Sequence, residues 1–95
     1  MTVTAPGETE FDAAAGWSLH PQVALRPEGF GALAYHYGNR RLVFLKSERL
    51  VSLVASLDRY DSAESALQAL VDPGERGRYA AALARLAASQ VIRVR

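Results

Sequence analysis

The sequence predicts an α+β fold in which a three-stranded antiparallel meander is followed by a three-helix bundle. Two patterns carry this prediction: apolar residues alternate with a period of two over residues 22–46, and they recur every three to four residues over residues 47–90. The length of 95 residues bounds the result, because a chain of this size forms one domain with one modest core.

The meander is predicted from three strand-like runs at residues 22–26, 32–37 and 40–46. Gly38-Asn39 separates the last two runs, and this dipeptide is suited to a two-residue hairpin turn. Pro27 and the glycines that follow it end the first strand and lead into the hairpin. The predicted cross-strand pairs of the hairpin are Tyr37 with Arg40, Tyr35 with Leu42, and Leu33 with Phe44.

Side chains alternate between the two faces of a strand, so the hairpin has a bulky face and a lighter one. The bulky face is predicted to be the core face because it carries more apolar surface. Phe44→Ala is then expected to cost about 3–5 kcal/mol as a core truncation. The bulky face comprises Leu33, Tyr35, Tyr37, Leu42 and Phe44, and the lighter face comprises Ala34, His36, Arg41, Val43 and Leu45.

Three helices are predicted after the meander. Ser47 and Ser62 are suited to cap the first two helices. Asp72 is predicted to cap the third helix, with Pro73 in its first turn, and this helix is expected to run to about Gln90. Residues 91–94 alternate weakly and are predicted to form a short terminal extension.

So few strands beside three helices leave at least one strand edge open, and an open edge has to be guarded or used. The third strand is predicted to be this edge. Arg40, Arg41 and Lys46 lie at its ends and leave residues 42–45 free between them. Val43→Pro is expected to remove one edge N–H, to block the addition of another strand, and to cost less stability than Phe44→Ala.

Charge divides the chain into two predicted parts, a flexible acidic arm at residues 1–16 and a domain at residues 17–95. The arm carries three acids and no base, whereas all 11 bases lie in the remainder. The chain has no apolar run long enough to span a membrane and no basic-then-apolar N-terminal segment. A cytoplasmic protein without a membrane span is therefore expected.

Catalytic and metal-binding patterns are missing from the sequence. The chain has no cysteine, which excludes a thiol nucleophile and cysteine-ligated metals. His20 and His36, the only histidines, lie in different predicted elements and outside any ligand or triad spacing. We therefore predict a protein that is not an enzyme and that holds no cofactor or metal.

Two functions other than the addition of a guest strand at the open edge are also compatible with these patterns. A winged helix-turn-helix-like order of elements, with five arginines in the third helix and tail, makes a winged-helix DNA-binding protein the alternative function. A pI near 8.2 and an alanine-rich third helix argue against nucleic acid as the partner. The other competitor is a homodimer in which two free strand edges pair.

The stretch LHPQVALRPEGFGALAYHYGNRRLVFLKS (residues 19–47), followed by short helices, resembles the PqqD-like family of recognition elements for ribosomally made, post-translationally modified peptides. Within that family it is most similar to the mycofactocin-system peptide chaperones. The resemblance covers about residues 17–92. The short connection before the third helix and the acidic arm depart from the wider family pattern.

The resemblance implies a non-catalytic chaperone of mycofactocin biosynthesis. Such a domain is expected to bind the leader of a precursor peptide as an added strand and to present it to a radical S-adenosylmethionine (SAM) maturase. The free third strand and the third helix would form the two walls of the binding groove. The peptide-binding residues carried over by position are Arg41, Leu42, Val43, Phe44, Leu45, Arg78, Tyr79, Ala82, Leu83 and Leu86.

Overall fold

The computed structural model describes residues 11–95, so residues 1–10 of the predicted arm lie outside the described residues. Its strands are β1 (Trp17–Leu19), β2 (Val23–Glu28), β3 (Gly31–His36), β4 (Leu42–Leu45) and β5 (Ile92–Val94), and its helices are α1 (Glu48–Ser56), α2 (Ala63–Leu70) and α3 (Arg76–Ala88). Short 3-10 turns at Leu57–Arg59 and Pro73–Glu75 connect the helices. The predicted α+β class is confirmed.

The strands form two separate sheets. The predicted meander is the antiparallel sheet β2–β3–β4. A second sheet pairs β1 with β5, so that Trp17 lies opposite Val94 and Leu19 opposite Ile92. The sequence analysis did not predict this ribbon, which ties the terminal extension back to the entry of the domain.

Two of the three predicted cross-strand pairs of the hairpin are confirmed, but its turn differs from the prediction, so the predicted pair of Tyr37 with Arg40 is wrong. Leu33 lies opposite Phe44 and Tyr35 opposite Leu42. The loop has four residues, 37–40, because the N–H of Arg40 donates to the His36 carbonyl at 2.7 Å. Arg40 adopts a left-handed φ of 64°. The imidazole of His36 supports this longer loop, since its Nδ1 accepts from the N–H groups of residues 38 and 39 at 3.0 and 3.1 Å.

The predicted assignment of the two hairpin faces is wrong. Leu42 and Phe44 are exposed to 61% and 55%, whereas Ala34 and Leu45 are fully buried and His36 nearly so. The lighter face is the core face because α1 lies directly against β3, and small side chains there allow the helix to approach. We call the buried side the inner face of the sheet and the exposed side its outer face.

The helix caps are partly as predicted. Ser47 Oγ accepts from the N–H of Leu50 at 3.0 Å, and Ser62 forms a reciprocal capping box with Ser65. Asp72 makes no side-chain cap and precedes the 3-10 turn instead, so the predicted start of α3 is wrong and the helix begins at Arg76. The backbone carbonyl of Asp72, in place of its carboxylate, accepts from the N–H of Glu75 at 2.9 Å, and a 3-10 turn of this kind is frequent at the start of an α-helix.

Helix α3 ends at Ala88, two residues before the predicted end at Gln90, because the following residues form a Schellman motif. Gln90 adopts a left-handed φ of 65°. Its N–H donates to the carbonyl of Ala87 at 3.0 Å, and the N–H of Val91 donates to the carbonyl of Leu86 at 2.9 Å. Val91 and Leu86 are both buried, so the motif directs the chain from α3 into β5.

Residues 11–16 lie against the domain. The ring of Phe11 is 5.1 Å from that of Trp17, and the Trp17 indole N–H donates to the carbonyl of Asp12 at 2.8 Å. The carbonyls of residues 13 and 15 accept from the first two N–H groups of α2. The domain boundary after residue 16 stays a prediction.

Candidate functional site

The outer edge of β4 is unpaired within the described part of the chain, because β4 bonds only to β3. Bonded and non-bonded pairs alternate along an antiparallel ladder. The His36 N–H donates to the Arg41 carbonyl at 2.9 Å, so the next bonded positions on β4 are Val43 and Leu45. The N–H and C=O groups of Leu42 and Phe44 therefore point to the open edge.

This alternation corrects the expectation for Val43→Pro. The N–H of Val43 points toward β3, and its half-buried side chain packs on the core. Proline at this position would therefore break the β3–β4 ladder, whereas proline at Leu42 or Phe44 would remove an edge N–H.

The opposite edge of the sheet is less suited to an added strand. Tyr37 donates its N–H to the carbonyl of Gln22, which fixes the alternation along β2. By the same count, Pro27 occupies an edge-facing position of β2 and offers no N–H there. The β2 edge thus offers fewer free N–H groups than the β4 edge, since Pro27 has none and the N–H of Val23 donates to the carbonyl of His20.

A groove runs between the end of β4 and α3. It has a volume of about 320 Å³. The ring of Tyr79 lies in its wall, with the hydroxyl 3.5 Å from Ser47 Oγ. The residues that line this groove are Lys46, Ser47, Leu50, Arg78, Tyr79, Ala82 and Arg85.

The charge of the groove is positive. Three cations line it, and no carboxylate does among residues 11–95. Arg78 forms an exposed ion pair with Glu75 at 3.3 Å, within one turn of helix. Lys46 and Arg85 are the cations at the two sides of the groove. The site therefore combines an apolar floor with a cationic rim, which suits a segment that carries acidic side chains.

A smaller concavity of about 180 Å³ lies at the other end of β4, between the hairpin loop and the C-terminus of α3. Arg41 and Asn39 line its hairpin side, and the Asn39 side chain accepts from the N–H of Arg41 at 2.9 Å. The two concavities place open space between β4 and α3 at both ends of the edge strand.

The ten predicted site residues fall into three groups in the structure. Arg78, Tyr79 and Ala82 meet in the groove, and Arg41 lines the smaller concavity. Leu42 and Phe44 offer their backbones to the edge but direct their side chains to the outer face, while Val43 is half-buried on the inner face. The three that lie in the core are Leu45, Leu83 and Leu86.

Sequence reasoning missed four groove residues: Lys46, Ser47, Leu50 and Arg85. A signal for Arg85 was present, since it lies three residues after Ala82 and therefore on the same face of α3. Leu50 was assigned to the apolar stripe of α1, and its half-exposed position at the start of that helix became evident only from the packing.

The histidines form a pair rather than a ligand set. The rings of His20 and His36 lie 4.4 Å apart. Burial, the neighbouring His36 and the guanidinium of Arg93 lower the pKa of His20 below its ordinary value of 6.5. No group of three or more metal-ligating His, Cys, Asp or Glu side chains occurs in residues 11–95. Within the same residues, no helix is long and apolar enough to cross a membrane.

Fold and edge together define the class of protein: a small α+β module whose sheet ends in an open strand beside a helix. The chain belongs to the peptide chaperone MftB family, whose model matches residues 16–93. The protein named peptide chaperone MftB in Mycobacterium tuberculosis is 44% identical, over 97% of this chain and 91% of the relative. Its namesake in Mycobacterium ulcerans is 45% identical, over 97% and 90%.

A third relative of the same name, from Mycolicibacterium smegmatis, is 48% identical over 70% of this chain and 66% of its own length. No solved structure gives a significant match. The comparisons therefore support a chaperone role and the mycofactocin context that the sequence analysis expected.

Proposed function

We propose that this chain is a non-catalytic, cytoplasmic adaptor that binds the leader of the mycofactocin precursor peptide by strand addition on β4 and presents it to a radical SAM maturase. The observation that carries the proposal is the open edge of β4 beside α3 in a member of a peptide chaperone family. Backbone hydrogen bonds from Leu42 and Phe44 supply affinity for any extended segment. The groove along α3 supplies selectivity.

Selectivity in the groove comes from charge and shape together. Lys46 and Arg85 favour a leader segment with carboxylates near the C-terminal end of β4. Ala82 leaves room for the peptide to approach the helix, and the face of the Tyr79 ring gives it an apolar contact. Leu83 and Leu86 act through the core, by holding α3 at its distance from β4.

The decisive experiment is a backbone N-methyl scan of a fluorescein-labelled synthetic leader peptide, read by fluorescence anisotropy. An added strand directs only every second N–H at β4. We therefore expect methylation to abolish binding at alternate positions and to be tolerated at the intervening ones. A leader bound as a helix or through its side chains alone would give no period of two, and that result would refute strand addition.

Presentation to the maturase is tested separately. We expect the maturase, the labelled leader and this chain to elute together in size-exclusion chromatography, and the peptide to keep its mass when incubated with this chain alone. A change in peptide mass without the maturase would contradict a non-catalytic role.

A homodimer through β4 would use the same backbone groups as the peptide. Light scattering with and without the leader peptide therefore distinguishes the two. An edge-paired dimer dissociates as the peptide is added, whereas a monomeric adaptor keeps the mass of one chain plus one peptide.

A further inference from the structure

The outer face of the sheet carries an apolar surface that the groove does not explain. Six large hydrophobic side chains are exposed in residues 11–95, and four of them lie on the outer face or at its rim. Phe30 and Phe44 lie 5.8 Å apart, ring centre to ring centre, over a concavity of about 550 Å³ that Lys46 also lines. The four side chains are Phe30, Tyr37, Leu42 and Phe44.

Two of these side chains stand on the open edge strand itself. Leu42 and Phe44 are the residues whose backbone groups point to the edge, and their side chains project to the outer face. A strand added to β4 extends both faces of the sheet, because its side chains also alternate. Every second side chain of the guest must then lie on the outer face, directly beside Leu42 and Phe44.

We infer that the bound strand is recognised on both faces of the sheet: large apolar side chains at every second position pack against Leu42 and Phe44 on the outer face, while the intervening residues face the α3 groove. The inference rests on the proposed strand addition. The occupant of this part of the outer face is thus the peptide in the groove, and the apolar surface beside β4 is a specificity determinant.

The outer face also gives this recognition a direction along the strand. Lys46 lines both the groove and the concavity of Phe30 and Phe44, so a cation stands beside the apolar contact at the C-terminal end of β4. At the Arg41 end, the outer-face concavity of about 450 Å³ is lined by Leu42 and the two tyrosines of β3 and its loop, and its one cation, Arg26, stands on β2, away from the open edge. The ligand class is therefore an extended segment in which bulky apolar residues alternate with smaller or charged ones, with an acidic residue at the Lys46 end.

Threonine substitutions test the outer face without closing the backbone edge. Leu42→Thr and Phe44→Thr keep the N–H groups and a strand-compatible side chain, and both positions are exposed. Each is expected to weaken binding of the fluorescein-labelled leader peptide about fivefold, the upper value for a cross-strand apolar pair. Leu33→Thr is the matched control, because it makes the same change one strand further in, ~10 Å from the guest.

A second measurement keeps the protein unchanged. In the wild-type complex, replacing each apolar residue of the leader peptide in turn by Thr should weaken binding at alternate positions, in phase with a single register of the N-methyl scan. Peptide losses confined to consecutive positions would overturn the inference.

The outcomes separate the two proposals. If Leu42→Thr and Phe44→Thr bind within twofold of wild type while the N-methyl scan keeps its period of two, strand addition stands and recognition on the outer face is refuted. If Leu33→Thr loses as much affinity as they do, the effect is not local to the edge and the inference is likewise refuted. If the N-methyl scan has no period, both proposals fail.

Discussion

The inner face of the β2–β3–β4 sheet is buried although it is the less hydrophobic face, and the more hydrophobic outer face is exposed. The inner face carries Ala34, His36 and Leu45 and is buried beneath the helices. The outer face carries the larger apolar set, with Leu42 and Phe44 exposed by more than half. Burial here follows the fit between sheet and helix, since small residues on β3 let α1 pack closely, and bulk alone does not decide which face is covered.

This difference indicates that the outer face is the functional face of the sheet. A solvated sheet face is ordinarily polar, and exposed contiguous apolar surface marks an interaction site. In this molecule that surface adjoins the open edge of β4, so the backbone edge and the apolar face form a continuous region.

The largest effect expected from this comparison is on stability. Leu45→Ala, on the inner face, should lower the free energy of unfolding by about 2–5 kcal/mol, because Leu45 is fully buried. Phe44→Ala, its neighbour on the outer face, should cost about 1 kcal/mol or less, because Phe44 is more than half exposed and loses only surface contacts with Phe30 and its cross-strand neighbour Leu33. Urea denaturation followed by circular dichroism measures both.

The reverse order of these two costs would restore the face assignment made from the sequence. Equal costs would mean that α1 does not pack on the sheet as described. The pair is well matched because the two positions are adjacent on β4, carry large apolar side chains and lie on opposite faces of the sheet.

Overpacking should give the next largest effect. Ala34→Leu is expected to cost about 1–3 kcal/mol, because the added atoms meet α1 where Ala34 has no exposed surface. Tyr35→Leu changes the adjacent outer-face position and should be nearly neutral, since Tyr35 is only half-buried. Thermal denaturation of both variants measures this. A neutral Ala34→Leu would show that the inner face is loosely packed.

Much of the fold was predictable from local signals. The period of two, the helical stripes and the serines at 47 and 62 gave the order of elements, the register of the hairpin and two caps. The β1–β5 ribbon was not predictable, because Trp17–Leu19 and Ile92–Val94 are three-residue strands, too short for periodicity, and their pairing joins the two ends of the domain.

The open edge was predictable for a topological reason, since a meander that ends beside helices leaves its last strand unpaired. The backbone groups that this edge exposes were not predictable. They depend on a hairpin loop of four residues in place of two, and the His36 imidazole supports that longer loop. The faces were misassigned because hydrophobic content was weighed without the shape of α1. The cations of the groove come from two separate parts of the chain, the end of β4 and α3, and only packing brings Lys46 and Arg85 together.

The smallest expected effect is a pH dependence of the stability that arises at His20, whose ring lies against His36 of the inner face. Burial, His36 and Arg93 lower the pKa of His20 in the folded chain below the value of 6.5 expected when unfolded. The neutral form is also the one whose Nδ1 accepts from the N–H of Gln22 at 3.0 Å.

Below about pH 6.5 the unfolded chain therefore binds more protons at this site than the folded chain, so stability is lost as the pH falls. Between about pH 7.5 and about pH 5, we expect His20 to contribute a decrease in Tm of no more than a few degrees, because the ring is partly exposed. His20→Asn keeps an acceptor for Gln22 without a titrating group, and this variant should lose that part of the decrease. If its Tm falls with pH as steeply as that of the wild type, the acid sensitivity arises elsewhere, and the contrast between the two faces is one of packing alone.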